Sequence, residues 1–295
     1  MAQVSGALTI RVGRRFRLRP GACLGYICLI LLLLFTSLPL VYLVSTAFKP
    51  LDELFVYPPQ FFVRHPTVKN FGDLLTSVSS SVVPFTRYIF NSVWVSVTVV
   101  VGTVVLSSMG AFALAKYRLP GANFIFSLVI AVLMFSPHVT AIPTYMIVNS
   151  LHLIDTYWAL VLPKVAVAYN FFLMKQFIEQ FPNDILESGR IDGAGEWYLF
   201  WRMVMPNVKP AWATLAVLSF VSNWNDYMTP LIYTSSQSMK TLPLALQTIS
   251  GGAGTIARTG AMAAATFLTT VPTIVVFVIM KNKVMETMTY SGIKG

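Results

Sequence analysis

The chain has 295 residues, of which 56% are hydrophobic and 11% are charged, and its mean hydropathy is +0.69. A soluble globular chain carries about 25% charged residues. The composition therefore excludes a disordered chain, a disulfide-rich secreted scaffold and an ordinary soluble enzyme. It predicts an all-α polytopic membrane protein. The net charge of +10 is explained by basic residues flanking membrane helices, so lipid and not nucleic acid is the expected surrounding.

Apolar stretches long enough to cross a bilayer occur six times, since a spanning helix needs about 20 mostly apolar residues. A basic segment at residues 1–20 precedes them, and residues 21–295 are predicted to form one transmembrane domain. The apolar run at 21–48 is too long for a signal peptide and is predicted to be an uncleaved helix. The predicted spans are residues 22–48, 88–115, 122–146, 156–175, 210–233 and 259–281.

The distribution of Lys and Arg predicts that both termini lie in the cytoplasm. With the N-terminus inside, 14 of the 21 basic residues fall in cytoplasmic segments and 6 in outer segments. The remaining one, Lys164, lies within the fourth span. Positive residues favour the cytoplasmic side of short connections.

The connection at residues 182–209, between the fourth and fifth spans, is amphipathic and predicts two helices joined by a turn. Pro182 to Asp184 predict a helix start, and Glu187 has the spacing of a capping box with Asp184 as the cap. Asp192 and Gly193 predict the turn, because glycine permits a positive φ.

A second helix is predicted over residues 196–205. Trp197, Phe200, Trp201 and Val204 recur at the spacing of one helical face. A short helix pair on the cytoplasmic side suits docking to another protein. The alternative is a helix lying in the lipid interface, which Trp and Phe also favour.

This connection resembles the EAA loop of permease subunits of binding-protein-dependent ATP-binding-cassette importers. The family pattern is roughly E-A-A-x-x-D-G-A, then a Phe six residues on, then Leu-Pro. The matching residues are Glu187, Asp192, Gly193, Ala194, Phe200 and Pro206. The chain departs from the pattern at Ser188 and Gly189, where Ala is usual, and at Met205, where Leu is usual.

Further segments resemble the carbohydrate branch of this family, in particular the maltose-permease-like second membrane subunit. They are Pro66-Thr67 with Asn70-Phe71, Asn91-Ser92, Ala111 to Leu114, Trp224-Asn225-Asp226 and the terminal Gly292-Ile293-Lys294-Gly295. The resemblance implies the type I importer permease fold and a multi-pass protein of a prokaryotic plasma membrane.

The resemblance also implies a complex. Its other parts are a sister permease forming a heterodimer, two cytoplasmic ATPases, an extracytoplasmic solute-binding protein and a carbohydrate substrate. The helix near residues 184–191 would be the coupling helix that docks in the ATPase, with Glu187 as a polar contact and Gly193 as the turn. ATP and Mg would be bound by the ATPases. This chain has no G-x-x-x-x-G-K-[ST] string, and no cofactor or enzyme activity of its own is expected.

Two ionisable residues lie within predicted spans, where a charge costs at least about 2.5–3.5 kcal/mol and usually faces a partner or a water-filled path. The candidates for the substrate path are Lys164, Tyr169, Asn170, Trp224, Asn225 and Asp226. The alternatives are a structural ion pair or interfacial position for Asp226 and snorkelling to the headgroups for Lys164. If Lys164 faces the path, an anionic oligosaccharide is the expected substrate.

Three other functions stay open at this point. An ion-driven secondary transporter would be expected to show inverted repeats or ion-coupling charges near the midplane. An intramembrane enzyme would need a catalytic constellation within the spans, which Lys164 and Asp226 alone do not supply. An importer of the same class with a non-sugar substrate would share the 182–209 loop.

Overall fold

The structure is a computed structural model that describes residues 20–79, 83–250 and 259–292. Every regular element in these ranges is helical, as the composition predicted. The basic segment predicted at residues 1–20 lies outside the described residues except for Pro20, and the last three residues of the chain also lie outside them. The helices are α1 (Pro20–Ala47), α2 (Leu51–Leu54), α3 (Lys69–Ser79), α4 (Phe85–Lys116), α5 (Ala122–Leu133), α6 (Pro137–Ser150), α7 (Tyr157–Val165), α8 (Ala168–Glu179), α9 (Asn183–Ile191), α10 (Glu196–Tyr198), a π-helical segment (Leu199–Val204), α11 (Met205–Asn207), α12 (Lys209–Trp224), α13 (Met228–Tyr233), a 3-10 turn (Gln237–Met239), α14 (Leu242–Ser250) and α15 (Thr259–Gly292).

Three helices are each long and apolar enough to cross a membrane unaided. Their apolar parts are Leu24–Ala47, Phe85–Lys116 and Thr259–Asn282. They agree with the predicted spans 22–48, 88–115 and 259–281, to within about three residues at either end. Uninterrupted runs of apolar residues over this length form helices because every backbone group is then bonded within its own segment.

The stretch predicted as one span at 122–146 is divided into α5 and α6, which meet at an angle of 112°. Pro137 occupies the first turn of α6, and the Ser136 hydroxyl accepts a hydrogen bond from the backbone N–H of His138 at 3.4 Å. Proline lacks the N–H needed to continue a helix and clashes with the preceding turn. A hydropathy pattern does not contain this information, because proline leaves the apolar run intact.

The stretch predicted as one span at 156–175 is also bent, by 44° between α7 and α8. Pro163 removes one backbone donor from α7. The carbonyl oxygen of Lys164, freed by the break, accepts a hydrogen bond from the Thr103 hydroxyl of α4 at 3.4 Å. The second half extends to Glu179, beyond the predicted end at residue 175.

The stretch predicted as one span at 210–233 is interrupted between α12 and α13. Asp226 lies at the interruption, and its Oδ1 accepts hydrogen bonds from the backbone N–H groups of Met228 at 2.9 Å and Thr229 at 3.2 Å. A carboxylate that binds nearby backbone donors competes with continuation of a helix. The described chain therefore holds three unbroken membrane-length helices, two bent pairs and this third interrupted stretch, and not six continuous helices.

The central helix is α4, which packs against α7, α8 and α12. Helix α15 packs against α12, α1 and α3. Toward its Lys116 end, α4 contributes Ala111 and Phe112 to a core with α8 and the π-helical segment. Toward its other end, Phe85 and Tyr88 lie in a second core with Trp224 and α14. One helix thus contacts both ends of the helix bundle.

The segment after α1 is folded back by buried polar groups. The Asn70 amide of α3 donates to the carbonyl oxygens of Ala47 at 3.0 Å and Lys49 at 2.7 Å, at the end of α1. The Glu53 carboxylate accepts the backbone N–H groups of Arg64 and His65 at 2.9 and 2.8 Å. Since carbonyls at a helix end lack partners within the helix, Asn70 satisfies groups that would otherwise stay unbonded.

Candidate functional site

The 182–209 connection forms two arms that meet at a tight turn, as predicted. The first arm is α9, whose cap position is Pro182 without a side-chain hydrogen bond, so the expected capping box with Asp184 as the cap is wrong. The turn is at Gly193, with φ +82°. The N–H of Ala194 bonds to the carbonyl of Gly189 at 2.9 Å and that of Gly193 to Arg190 at 3.0 Å. These two bonds make a Schellman motif, which needs the left-handed conformation that glycine adopts.

The second arm differs from the regular helix predicted over 196–205. It consists of α10, the π-helical segment and α11, and the N–H of Met205 bonds to the carbonyl of Phe200. The wider turn rotates the apolar face, so Leu199, Phe200 and Val204 are buried while Trp197 and Trp201 are 64% and 43% exposed. The predicted face was therefore half wrong. The wider, π-helical turn is explained by Pro206, which follows it and has no N–H to bond to the preceding turn.

The two arms touch where Gly189 of α9 faces the π-helical segment. A Cβ at position 189 would lie 2.7 Å from Cδ2 of Leu199 and 3.1 Å from Sδ of Met203. Such a separation is shorter than a van der Waals contact, so this approach requires glycine or a shift of both neighbours. The Gly189 that departs from the family pattern is thus a contact point between the arms.

The remaining loop residues that match or border the family pattern divide into an exposed set and a buried set. Phe200 is 3% exposed and contacts Phe112 of α4, with ring centroids 5.4 Å apart. Between the arms lies an open cavity of about 580 Å³, lined by Gly189, the turn and Tyr198. The exposed set is Glu187, Ser188, Asp192, Gly193 and Pro206, and Ala194 is partly exposed.

The Lys116 end of α4 holds this loop through polar contacts that the sequence reasoning missed. Lys116 Nζ donates to the Glu179 carbonyl at 3.2 Å, to the Phe181 carbonyl and to Asn183 Oδ1 at 3.0 Å. Charge counting registered Lys116 only as a contribution to the cytoplasmic bias. Nothing in its spacing pointed to the junction of α8 and α9, which is 63 to 67 residues away.

Beside Lys116, the Tyr117 hydroxyl donates to the Glu196 carboxylate. Glu196 in turn binds Arg190, with Nε to Oε1 at 2.9 Å and Nη2 to Oε2 at 3.4 Å. Arg190 and Glu196 lie three residues before and after Gly193. Opposite charges placed symmetrically about a predicted turn were the one sequence signal for this pair, whereas Tyr117 gave none.

The same contacts shift the ionisation of the two acidic groups. The hydrogen bond from Arg190, and then that from Tyr117, lowers the pKa of Glu196 below its ordinary value of 4.5. Burial, and then the hydrogen bond to Glu196, raises the pKa of the Tyr117 hydroxyl above its ordinary value of 10.0. Near neutral pH, Glu196 is therefore an anion and Tyr117 retains the proton that it donates.

Two of the residues predicted for the substrate path meet. Lys164 of α7 forms an ion pair with Asp226 at the α12–α13 interruption, with 21% and 18% of their side chains exposed. This geometry agrees with the alternative in which Asp226 belongs to a structural ion pair. Because Lys164 has a carboxylate partner within the protein, its ammonium group does not need to extend to the lipid headgroups. Because the two charges neutralise each other, the pair offers hydrogen-bonding groups without net charge.

The other four path candidates are spread over different surroundings. Trp224 is 4% exposed, and its indole N–H donates to the Thr269 carbonyl of α15 at 2.8 Å, so it packs between helices. Asn170 is 7% exposed. Tyr169 and Asn225 are exposed, and the Asn225 amide donates to the Val221 carbonyl of its own helix at 2.8 Å.

The opposite end of α4 is pinned in a comparable way. The Asn91 amide is fully buried and donates to the carbonyls of Ser238 and Lys240, both at 2.8 Å. The Ser92 hydroxyl accepts the backbone N–H of Leu242 at 2.8 Å. The segment that joins α13 to α14 is thus fixed to α4 by the Asn91-Ser92 pair.

Asp155, which precedes α7, accepts the N–H groups of Ser235 and Ser236, both at 3.0 Å, and fixes the same segment from its other side. Within the described ranges, no three His, Cys, Asp or Glu side chains are grouped so as to hold a metal ion.

Comparison with known proteins identifies relatives over nearly the whole chain. The family described as binding-protein-dependent transport system inner membrane component matches residues 8–283. The arabinooligosaccharides transport system permease protein AraQ of Halalkalibacterium halodurans is 29% identical over 263 residues, which cover 87% of this chain and 91% of AraQ. The sn-glycerol-3-phosphate transport system permease protein UgpE of Yersinia enterocolitica is 33% identical over 205 residues, which cover 70% of this chain and 73% of UgpE.

Among solved structures, a chain of a bacterial ABC transporter involved in the import of the acidic polysaccharide alginate has the same fold. It superposes with a TM-score of 0.79 and covers 90% of this chain and 97% of its own length. The sequence identity is 21%, so the likeness concerns the fold.

Proposed function

This chain belongs to the family of binding-protein-dependent transport system inner membrane components, and from that membership we propose that it is a membrane subunit of an ATP-driven carbohydrate importer. In this proposal, it forms the translocation path together with a sister permease. Two cytoplasmic ATPases bind ATP and Mg, and an extracytoplasmic binding protein delivers the sugar. The observation that carries the proposal is the pair of arms joined at Gly193, held against α4 by Arg190, Glu196 and Tyr117.

The loop geometry supports a coupling role for residues 184–206. Glu187 and Ser188 are exposed on α9, while Leu186 and Gly189 on the same helix are buried. A helix that buries one side against its own subunit and exposes carboxylate and hydroxyl groups on the other is suited to a protein partner. An ATPase that binds the loop differently in its open and closed states would bias the membrane helices between two arrangements.

The charge distribution supports six crossings with both termini in the cytoplasm. In this topology each bent pair makes one crossing, as does the interrupted α12–α13 stretch. A cysteine introduced in place of Ser188 is then expected to react with a membrane-impermeant reagent only from the cytoplasmic side. A cysteine in place of Asp52 should react only from the outside, and the reverse result would contradict the topology. The two native cysteines are replaced by alanine in both variants.

The substrate proposed is a neutral oligosaccharide. Lys164 is neutralised by Asp226, so the local charge that favoured an anionic sugar is absent from this pair. The relative AraQ is named for arabinooligosaccharides, whereas UgpE is named for sn-glycerol-3-phosphate. A phosphorylated substrate is therefore the second candidate, and it would need a cation other than Lys164.

The experiment uses the complete complex in proteoliposomes and measures uptake and ATP hydrolysis together. We expect uptake of oligosaccharide delivered by the binding protein, and no uptake of sn-glycerol-3-phosphate. Glu187→Ala is expected to lower ATPase attachment or coupled uptake, because an exposed polar contact to the ATPase is lost. Asp52→Ala, which removes an exposed carboxylate at α2, should leave both unchanged. Normal coupled uptake by Glu187→Ala would contradict the coupling role and favour the alternative, in which this helix lies in the lipid interface.

A further inference from the structure

We propose that Lys116 and Tyr117 are positioning residues that clamp the two-armed loop to α4, so that a displacement of the loop is carried into the central helix. The inference rests on the proposed function, because it specifies how an ATPase-driven motion enters the membrane domain. Nothing in the family pattern of the loop includes these two residues, which lie at the end of a different helix.

Lys116 is fully used at the junction between α8 and α9. An ammonium group has three N–H donors and no acceptor. Its three acceptors are the carbonyl of Glu179 at the end of α8, the carbonyl of Phe181 just after that helix, and Asn183 Oδ1 at the start of α9. Charge-assisted hydrogen bonds are shorter and stronger than neutral ones. The first arm of the loop is therefore tied to α4 at the point where it leaves the bundle.

Tyr117 acts on both arms at once. Its hydroxyl donates to Glu196 of the second arm, and its ring lies 5.8 Å from the guanidinium carbon of Arg190 on the first arm. The Arg190–Glu196 ion pair spans Gly193, so Tyr117, Arg190 and Glu196 form a triangle in which each residue contacts the other two. A change in the angle between the arms would break at least one of these three contacts, so together they oppose such a change.

Apolar packing under the triangle makes the attachment stiff. Phe112 lies one turn before Lys116 on α4, and its ring contacts Tyr117 at 5.6 Å and Phe200 at 5.4 Å between centroids. Phe112 and Phe200 are 6% and 3% exposed. Close-packed interiors transmit displacements because they have little free volume to absorb them. Since α4 also packs against α7, α8 and α12, moving its end moves the helices that surround it.

The functional test compares Lys116→Met and Tyr117→Phe in the reconstituted complex. Methionine keeps the length of the side chain without its donors, and phenylalanine keeps the ring without its hydroxyl. We expect the number of sugar molecules imported per ATP hydrolysed to fall by roughly two- to thirtyfold, the range for residues that carry coupling without touching either ligand. ATP hydrolysis and assembly, checked by size exclusion, should persist. A purely structural defect would lower assembly and not this ratio.

Two matched controls accompany these variants. Arg118→Met removes a positive charge at the neighbouring exposed position and should leave the ratio unchanged. The exchange Arg190→Glu with Glu196→Arg restores the ion pair but moves the carboxylate to the first arm. The Tyr117 hydroxyl then has no acceptor on the second arm, since arginine only donates. A normal ratio in this exchange variant would overturn the part of the proposal that concerns Tyr117.

A distance measurement tests the clamp without using transport. Spin labels at Arg118→Cys and Ser188→Cys, in a chain whose native cysteines are replaced by alanine, report the separation between the end of α4 and α9. We expect the same distance in the nucleotide-free and ATP-bound complex, and a broader or shifted distribution with Lys116→Met or Tyr117→Phe. A distance that changes between the two states in the otherwise unaltered loop would overturn the clamp.

The outcomes distinguish a failure of the proposed function from a failure of the clamp. A complex that never couples uptake to ATP hydrolysis in its unaltered form would refute the proposed function. A coupled complex in which both variants keep the ordinary ratio and the ordinary distance would refute the clamp alone.

Discussion

The turn at Gly193 depends on backbone conformation and not on space. No atom lies within 4 Å of the position that a Cβ would occupy there, but φ is +82°. A left-handed residue other than glycine costs about 1–2 kcal/mol. The Schellman bonds around it fail if the residue leaves this conformation.

We therefore expect Gly193→Ala to lower the free energy of unfolding by about 1–2 kcal/mol. The loss should be smaller for Gly193→Asn, because asparagine tolerates this conformation better. Thermal unfolding of the purified protein in detergent measures the change. Gly195→Ala is the matched control, since Gly195 is equally uncrowded but has φ −70°. An equal loss in both alanine variants would show that the conformation at 193 is not the cause.

Gly260 presents the opposite case, in which space decides. A Cβ there would lie 2.3 Å from Oδ1 of Asn70, the buried amide that holds the end of α1. Overpacking of this kind costs about 1–3 kcal/mol, and relief by moving Asn70 would break its two hydrogen bonds.

Gly260→Ala should accordingly lower the apparent melting temperature in detergent, and Asn70→Ala should remove most of that sensitivity. Gly72→Ala in α3 is the comparison, because a Cβ at that position meets no atom within 4 Å. Since alanine is the better helix former by up to about 1 kcal/mol, Gly72→Ala is expected to be neutral or stabilising. A stable Gly260→Ala variant would mean that α15 shifts away from Asn70 without cost.

The Glu196 contacts predict a pH dependence whose sign follows from the lowered pKa. A carboxyl group with a depressed pKa in the folded state stabilises that state above its ordinary pKa of 4.5, and this contribution is lost as the pH falls through the folded value. The magnitude is small, because 47% of the Glu196 side chain is exposed and solvent screens the pair.

We expect the difference in melting temperature between the unaltered protein and Glu196→Gln to be largest near pH 7 and to shrink as the pH falls below 4.5 through the lowered pKa of Glu196. Raising the ionic strength at pH 7 should reduce it as well, because salt screens exposed pairs. A difference that persists at low pH would indicate that the glutamine acts through packing and not through charge.

At the scale of the elements, the Lys164–Asp226 pair joins the α7–α8 bend to the α12–α13 interruption. Removing one partner of such a pair leaves an uncompensated charge in a poorly solvated site, which is more costly than removing both. Asp226 also binds two backbone N–H groups, a role that asparagine can keep through its carbonyl oxygen.

Lys164→Met and Asp226→Asn are each expected to lower the melting temperature, and the double variant should recover most of the loss. Uptake by the double variant then distinguishes a structural role of the pair from a role in the substrate path. Recovered uptake indicates a structural pair, whereas a stable protein with altered uptake indicates that the pair lines the substrate path. Additive losses in stability would show that the two side chains do not depend on each other.

The elements also show what a sequence pattern can and cannot reveal. The uninterrupted spans at α1, α4 and α15 were predictable because length and hydropathy alone determine them. The breaks at Pro137 and Asp226 were not, because they arise from one missing donor and one competing carboxylate within runs that remain apolar. The π-helical segment was missed for the same reason, since apolar spacing was interpreted with the period of an α-helix.

The candidate site was predictable only where it is contiguous in sequence. Glu187, Gly193 and Phe200 were found from one loop, and the glycine turn is confirmed. Lys116 and Tyr117 are more than 60 residues from their partners, and no local pattern encodes a contact over that separation. Trp224 was proposed for the path from its aromatic character, but it is buried against α15.

At the scale of the whole molecule, α4 is attached at both ends to segments that lie on opposite sides of the bundle. Asn91 and Ser92 hold the segment before α14, and Lys116 and Tyr117 hold the loop at α9. The helix has 32 residues and is therefore about 48 Å long. In the proposed topology these segments face the binding protein and the ATPases respectively.

A single helix fixed at both ends couples the two faces, and any such coupling between binding sites is thermodynamically reciprocal. If ATP changes the affinity of the complex for the binding protein by some factor, the binding protein must change the affinity for ATP by the same factor. Loosening either attachment of α4 would lower both factors together and to the same extent. The effect of ATP on binding of the sugar-loaded binding protein is therefore accompanied by an equal effect of the binding protein on binding of ATP.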